Sequence, residues 1–226
     1  KKTPLKLSIK RMNEKQVTLF GSSGLIGGFL LHYLLADTSI NTIIVVSRTP
    51  LTLEHPKVKV IQIDFSNPKE IEQAVENSSR VFSCIGTTQA RVKGDKVAYR
   101  KIDYAITYNI AKSCKAKNVA CFLYVSSAGA NSASANFYLQ LKGEIDDAVT
   151  ALNLSATLIF RPSLLLGKRK EFRFGERIAQ LVMPLFAFLF PANLKPIRGE
   201  KLAKAMLELS KSEQKGTKIL ENKALI

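Results

Sequence analysis

The chain has 226 residues and a mass of 25.0 kDa, enough for one domain with a sizeable core. Apolar residues make up 46% and charged residues 23%, which excludes a disordered or fibrous chain. The net charge of +16 is not gathered into one stripe: Lys1, Lys2, Lys6, Lys10, Arg11 and Lys15 crowd the first fifteen residues and the rest is scattered, so no specific nucleic-acid partner is expected.

Residues 1–12 (KKTPLKLSIKRM) read as a basic leader before a single domain spanning 13–226. They lack the apolar segment of a secretory signal. A first strand is expected over 16–20 (QVTLF). Gly21, Gly24 and Gly27 follow at G-x-x-G-x-x-G spacing. Leu25, Ile26, Phe29, Leu30, Tyr33 and Leu34 then recur at helical spacing, giving a helix over 25–36. Strand, glycine turn and helix in this order form the front half of a dinucleotide-binding unit. Gly21 permits a tight turn, Gly24 lets a pyrophosphate approach the backbone, and Gly27 lets the helix pack closely. The N–H groups of the first helical turn face the phosphates. Gly21, Ser22, Ser23, Gly24, Leu25, Ile26 and Gly27 are therefore cofactor-binding candidates.

Asn41–Val46 (NTIIVV) is a second strand, ending at Ser47-Arg48. An acidic residue at this junction would bond the ribose 2′-OH of NAD. Arg48 suits the 2′-phosphate of NADP instead, so NADP(H) is the expected cofactor. Val58–Ile63 is a third strand, followed by Asp64 and Phe65. Asp64 is placed either to bond the adenine amino group or to cap the helix Pro68–Glu76. Arg80–Ile85 is a fourth strand. Ile85, Gly86, Thr87 and Thr88 make a small polar turn on the nicotinamide side of the cleft.

Ala98–Lys117 reads as one long helix with a buried stripe of Ile102, Ala105, Ile106, Ile110 and Cys114. A fifth strand, Phe122–Val125, ends at Ser126-Ser127. A helix starting near Phe137 carries Tyr138 and Lys142. Ser155–Phe160 is a sixth strand, ending in Arg161-Pro162-Ser163. A basic loop follows Gly167, then an apolar helix near 175–190, a helix over about 199–211, and a short strand within Lys218–Ile226. This alternation predicts an α/β fold, a single-domain Rossmann-type doubly wound parallel sheet, with a small C-terminal segment (162–226) covering the substrate pocket.

The longest apolar run, Leu185–Phe190 with Val182–Met183, is broken by Pro184 and Pro191. It is too short for a bilayer span of ~20 residues. Cys84, Cys114 and Cys121 are odd in number and sit in apolar patterns. They read as core thiols of a reducing compartment, and a cytoplasmic location is expected. His32 and His55 lack ligand spacing, so no metal site is expected.

Tyr138 and Lys142 share one helix face at i, i+4. Ser126 and Ser127 stand at a strand end, where α/β sheets bind ligands. A phenol is a poor acid–base group near neutrality, and an adjacent ammonium favours its phenolate. A serine hydroxyl can hold a substrate carbonyl oxygen beside that tyrosine while a nicotinamide exchanges a hydride.

The glycine fingerprint, the strand-end serines and the Tyr138/Lys142 pair together resemble the short-chain dehydrogenase/reductase superfamily over nearly all of residues 16–226. The segments CIGTT (84–88), VSSAGA (125–130), FYLQLKGE (137–144), FRPSLLLG (160–167) and LENKALI (220–226) are similar to the Tat-interacting-protein-like subfamily of atypical NADPH-binding reductases. Arg169, Glu171, Arg173 and Glu176 keep that subfamily's R-x-E-x-R-x-x-E run, and the chain departs from it at Lys170, Phe172 and Phe174.

The resemblance implies NADP(H) binding. It implies Tyr138 as proton donor, Lys142 as its partner and ribose ligand, and Ser127 or Ser126 as the residue that polarises a carbonyl. It further implies backbone contact of Arg161, Pro162 and Ser163 with the nicotinamide ribose and carboxamide. The expected activity is NADPH-dependent reduction of a small carbonyl or activated double bond by a monomer or homodimer. The alternatives are an NADPH-binding regulator with little turnover and a sugar-nucleotide epimerase. Lys168–Arg173 is a candidate lid, and the stripe Ile178, Leu181, Val182, Leu185, Phe186 and Leu189 a candidate pocket cover.

Overall fold

The structure is a computed structural model that describes residues 16–87, 92–167 and 195–225. Its elements in chain order are β1 (Gln16–Phe20), α1 (Leu25–Ala36), β2 (Thr42–Ser47), β3 (Val58–Gln62), α2 (Pro68–Val75), β4 (Arg80–Ser83) and α3 (Lys96–Arg100). A π-helical turn (Lys101–Ala105) leads into α4 (Ile106–Ala116). Then come β5 (Cys121–Val125), α5 (Phe137–Ala151), β6 (Ala156–Arg161), β7 (Leu165–Leu166), β8 (Ile197–Arg198), α6 (Gly199–Lys211) and β9 (Gly216–Glu221).

Seven strands form one parallel sheet in the order β3-β2-β1-β4-β5-β6-β9. The central strands read as continuous apolar runs because both faces are covered. Val17, Leu19 and Phe20 are wholly buried, as are Val81 and Phe82. One core lies under α1 and α6, built on Leu30, Leu34, Leu202 and Met206. The other lies under α2, α4 and α5, built on Ile71, Ile110, Leu141 and Ile145. A separate short pair, β7 with β8, sits beside α6. The chain winds outward from β1 to β3, then returns to place β4 on the other side of β1. The crevice at that reversal, off the carboxyl ends of β1 and β4, is where such sheets hold ligands.

Two expectations change. The long helix is not continuous: a π turn at Lys101–Ala105 interrupts it, and the buried stripe lies on a face next to the one expected. Asp103, Thr107, Ile110, Ala111 and Cys114 are buried, whereas Ile102, Ala105 and Ile106 are only half-buried. The tail strand runs earlier than expected, over Gly216–Glu221, and completes the main sheet against β6. The apolar helix expected near 175–190 lies outside the described residues.

Candidate functional site

The glycine turn has the geometry that a dinucleotide loop needs. Gly21 sits at φ +83°, and a Cβ there would lie 2.8 Å from the backbone carbon of Cys84, so β1 and β4 approach here as only glycine allows. At Gly27 a Cβ would lie 2.1 Å from the Gly21 carbonyl oxygen, so the loop folds directly onto α1. Gly24 is exposed and caps α1 with no side-chain hydrogen bond, and no acidic residue occupies the first turn. The N–H groups at this helix end therefore face outward beside a residue without a side chain, an arrangement that fits a pyrophosphate. Ser23 is exposed and Ser22 nearly buried. Ile26 is buried in the core, and the Leu25 side chain fills the space left by Gly167 and Gly199. Only the backbone of Leu25 and Ile26 is left to serve a phosphate.

At the adenosine end, Arg48 is exposed and lines one groove with Gln62, Ile63, Asp64 and Glu70. Asp64 does not cap α2; Asn67 does, accepting from the Lys69 N–H. The Asp64 carboxylate accepts instead from the Ser66 N–H (2.8 Å) and hydroxyl (2.7 Å), which holds its pKa below the ordinary value. Phe65 packs edge-on against Phe20.

After β4, Ile85 is half-buried and Gly86 exposed. The Thr87 N–H donates to Asp103 Oδ1 at 2.7 Å, and its carbonyl accepts from the Tyr99 hydroxyl at 3.0 Å. Thr88 lies outside the described residues.

Asn136 starts α5 by accepting from the Tyr138 and Leu139 N–H groups, which sets Tyr138 in the first turn. The Tyr138 ring is half-buried, 6.2 Å from the Tyr99 ring, and the Lys142 ammonium lies 5.9 Å from its centroid. Lys142 is buried and its Nζ stands 2.8 Å from Asp103 Oδ2. Burial, the largest single influence, opposes the charge, but the Asp103 carboxylate, Tyr138 and Tyr99 together outweigh it. The ammonium is thereby held above the ordinary lysine pKa.

The two serines differ. Ser126 is buried and donates to Asp146 at 3.0 Å. Ser127 is half-buried and makes only a long bond to the Ala128 carbonyl, 3.3 Å. Of the pair, Ser127 is the one with a hydroxyl open to a substrate.

The Arg161 side chain is engaged by two carboxylates. Its guanidinium binds Asp146 (2.9 Å) and Glu221 (3.1 Å). The Pro162 carbonyl accepts from the Ala128 N–H. The Ser163 N–H is donated to Asn222 at 3.0 Å and its hydroxyl to the Lys195 carbonyl. Of the Ser163 backbone, the N–H is therefore already taken by Asn222.

Sequence reading missed three residues. Asp103 was hidden because a carboxylate is not expected in a buried stripe, although it recurs at helical spacing with Thr107, Ile110, Ala111 and Cys114. Asp146 accepts from Tyr124, Ser126 and Arg161, and burial pushes its pKa up against those donors. The signal was present: Tyr138, Lys142 and Asp146 run i, i+4, i+8 along one face of α5. Gly143 is the third. A Cβ there would lie 2.1 Å from the Ser132 nitrogen, so α5 is pressed against the 131–132 loop. Among the described residues no cluster of His, Cys, Asp or Glu could hold a metal, and no helix is long and apolar enough to cross a membrane.

Comparison with known proteins agrees with this geometry. A family profile described as NAD(P)H-binding matches residues 21–181. Protein FMP52, mitochondrial, of Debaryomyces hansenii is 33% identical over 198 residues, covering 85% of this chain and 86% of the relative. Protein HTATIP2 of Rattus norvegicus is 32% identical over 184 residues, covering 80% and 75%. Among solved structures, a UDP-N-acetylglucosamine 4-epimerase from Methanobrevibacter ruminantium superposes with a TM-score of 0.70 at 16% identity, over 93% of this chain and 77% of that one. That likeness concerns the fold alone. The cytoplasmic expectation is overturned, since the relatives from D. hansenii, Scheffersomyces stipitis, Meyerozyma guilliermondii and Candida albicans are all named mitochondrial.

Proposed function

The chain belongs to the NAD(P)H-binding family, as an atypical short-chain dehydrogenase/reductase of the HTATIP2-like kind, and from that premise we propose that it is an NADPH-dependent reductase of a small carbonyl or activated double bond. The observation that supports the reading is the Tyr138–Lys142 pair, 5.9 Å from ring to ammonium, with Lys142 tied through Asp103 to the turn after β4, the strand that meets the glycine loop at Gly21; Ser127 follows the neighbouring strand β5. Bound reduced nicotinamide supplies the hydride to the carbonyl carbon. Ser127 donates a hydrogen bond to the carbonyl oxygen and orients it. Tyr138 gives its hydroxyl proton to that oxygen and regains one from water. Lys142 stands beside the tyrosine, paired with Asp103, and is the ligand for the nicotinamide ribose. The Gly21–Gly27 loop and the α1 N-terminus bind the pyrophosphate, and Arg48 pairs with a 2′-phosphate. Asp64 stands beside the adenine. A mitochondrial site of action belongs to the same reading and is supported by the names of the relatives.

The test is a fluorescence titration of the protein with NADPH and with NADH, followed by turnover of a quinone or aldehyde panel. NADPH should bind tightly and NADH much more weakly. Arg48→Ala should weaken NADPH binding about 10- to 100-fold, as loss of a charge-assisted contact of ~1.5–3 kcal/mol implies, and leave NADH unchanged. Tyr138→Phe should keep NADPH binding and lose turnover by roughly 10²–10⁴-fold. Failure of both nucleotides to bind overturns the reading. Binding without turnover on any substrate, unchanged in Tyr138→Phe, would leave a nucleotide-binding regulator.

A further inference from the structure

Lys142 does not face Tyr138 as an unmatched cation. Its ammonium is 2.8 Å from Asp103 Oδ2, and both side chains are buried, at 8% and 1% exposure. The groups that face this ammonium are Asp103 from the π turn, Tyr138 from its own helix and Tyr99 from α3. The Tyr99 hydroxyl is directed at the Thr87 carbonyl. Asp103 also takes the Thr87 N–H at 2.7 Å, so its carboxylate cannot swing away from Lys142 without releasing the turn after β4. One lysine and one carboxylate make the buried cluster neutral while Tyr138 is a phenol. Removing the tyrosine proton would leave it with a net negative charge in a partly buried site, which is unfavourable.

We infer that Asp103 is a positioning residue that sets the acidity of Tyr138: by matching the charge of Lys142 it offsets the lysine's pull towards the phenolate, and it does so for both directions of the reaction. The part played in proton transfer rests on the reductase reading above; the charge relation does not. In reduction a hydride reaches the carbonyl carbon from NADPH, the Tyr138 proton reaches the oxygen, and NADP⁺ and an alcohol result. The phenolate this leaves on Tyr138 is also the state from which alcohol oxidation would start, so Asp103 acts on the tyrosine's acidity in both directions alike.

The chain has six tyrosines and no tryptophan, so tyrosinate absorbance can be followed without indole background. The ultraviolet pH titration of each variant, minus that of the same variant carrying Tyr138→Phe, isolates Tyr138 with no ligand added. Asp103→Asn keeps an acceptor for the Thr87 N–H and removes the charge. Its Tyr138 midpoint should fall by about 1–3 pH units, the effect of one charge at close range, whereas Asp103→Glu should stay near the native midpoint. An unchanged midpoint in Asp103→Asn overturns the inference, and so does an equal fall in Asp103→Glu.

Should Asp103→Asn fail to fold around an unmatched lysine, Lys142→Met and the double variant Asp103→Asn/Lys142→Met replace it. The midpoint should rise in the first and return to the native value in the second. If the two titrate alike, the Asp103 charge is not felt at Tyr138 and the inference falls. A shifted midpoint in a protein that binds no NADPH would uphold the charge relation and sink the reductase reading. NADPH binding with no shift would do the reverse.

Discussion

Substituting Gly27 by alanine tests whether the glycine turn is built by close approach rather than by loop flexibility. The new Cβ would lie 2.1 Å from the Gly21 carbonyl oxygen, 2.7 Å from its carbon and 3.0 Å from Ser22 Cα. All three are backbone atoms, so no side chain can rotate to make room. Ordinary contact begins near 3.4 Å, so α1 and the loop must separate by more than 1 Å. Leu30 and Leu34 of α1 are wholly buried in the core shared with α6, so the helix cannot shift without disturbing that packing. Overpacking of this kind costs up to about 3 kcal/mol or more, and the better helix propensity of alanine returns about 1 kcal/mol. A net loss of roughly 2 kcal/mol or more should lower Tm by about 4–8 °C in a domain of this size. Gly24→Ala is the control. Its Cβ would lie 3.3 Å from the Gly21 oxygen, and its φ of −80° suits any residue, so stability should change by less than about 1 kcal/mol. NADPH binding should nevertheless fall, because a methyl group would stand where the pyrophosphate meets the backbone. Thermal unfolding and nicotinamide fluorescence read the two effects separately. A Gly27→Ala protein with native Tm and native NADPH affinity would refute the close-approach argument.

Two further perturbations address the elements that hold the site. Asp146→Ala removes the acceptor shared by Tyr124, Ser126 and Arg161 and leaves a guanidinium poorly matched. Urea unfolding should show a loss of about 3–5 kcal/mol, with a smaller loss for Asp146→Asn; equal stability of Asp146→Ala and the parent would show that the network is not structural. Asp37 joins α1 to α6. Against the cost of its partial burial, the Ser39 hydrogen bonds and the Lys211 ion pair at 3.1 Å lower its pKa to about 2. The sign follows: a carboxyl with a depressed folded pKa stabilises above its unfolded value of 3.8 and loses that contribution as pH falls towards about 2. Asp37→Asn should cost at most about 2 kcal/mol at pH ~6, less after solvent screening. Its deficit should shrink steadily below pH ~4, and a deficit that stays constant with pH would assign the effect to packing instead.

What was legible in the sequence was local. The glycine turn is written in contiguous residues whose spacing is fixed by one strand end and one helix start. β1, α1 and α5 accordingly fall at the expected boundaries, and β2–β6 within one or two residues of them. Tyr138 and Lys142 were legible for the same reason, since i, i+4 places them on one face whatever surrounds the helix. The carboxylates were not, because nothing in the sequence near Asp103 or Asp146 names its partner. Asp103 lies on the buried face of its helix, at helical spacing with Thr107, Ile110, Ala111 and Cys114, where a carboxylate is not expected without a partner. Asp146 meets a serine, a tyrosine and an arginine brought in by two neighbouring strands.

The same distinction separates Ser126 from Ser127. Adjacent strand residues point to opposite sides, and just past the end of β5 the first serine is drawn down onto Asp146 while the next is left open. Asp146 therefore does for the serine turn what Asp103 does for the turn after β4. Each ties a loop at the crevice to the helix that carries Tyr138, Asp103 through Lys142 and Asp146 by its own place on α5. The acid-bearing helix is thus fixed by two buried carboxylates, one at each of two successive turns below the tyrosine. A displacement of α5 that moved Tyr138 would have to break an ion pair at both.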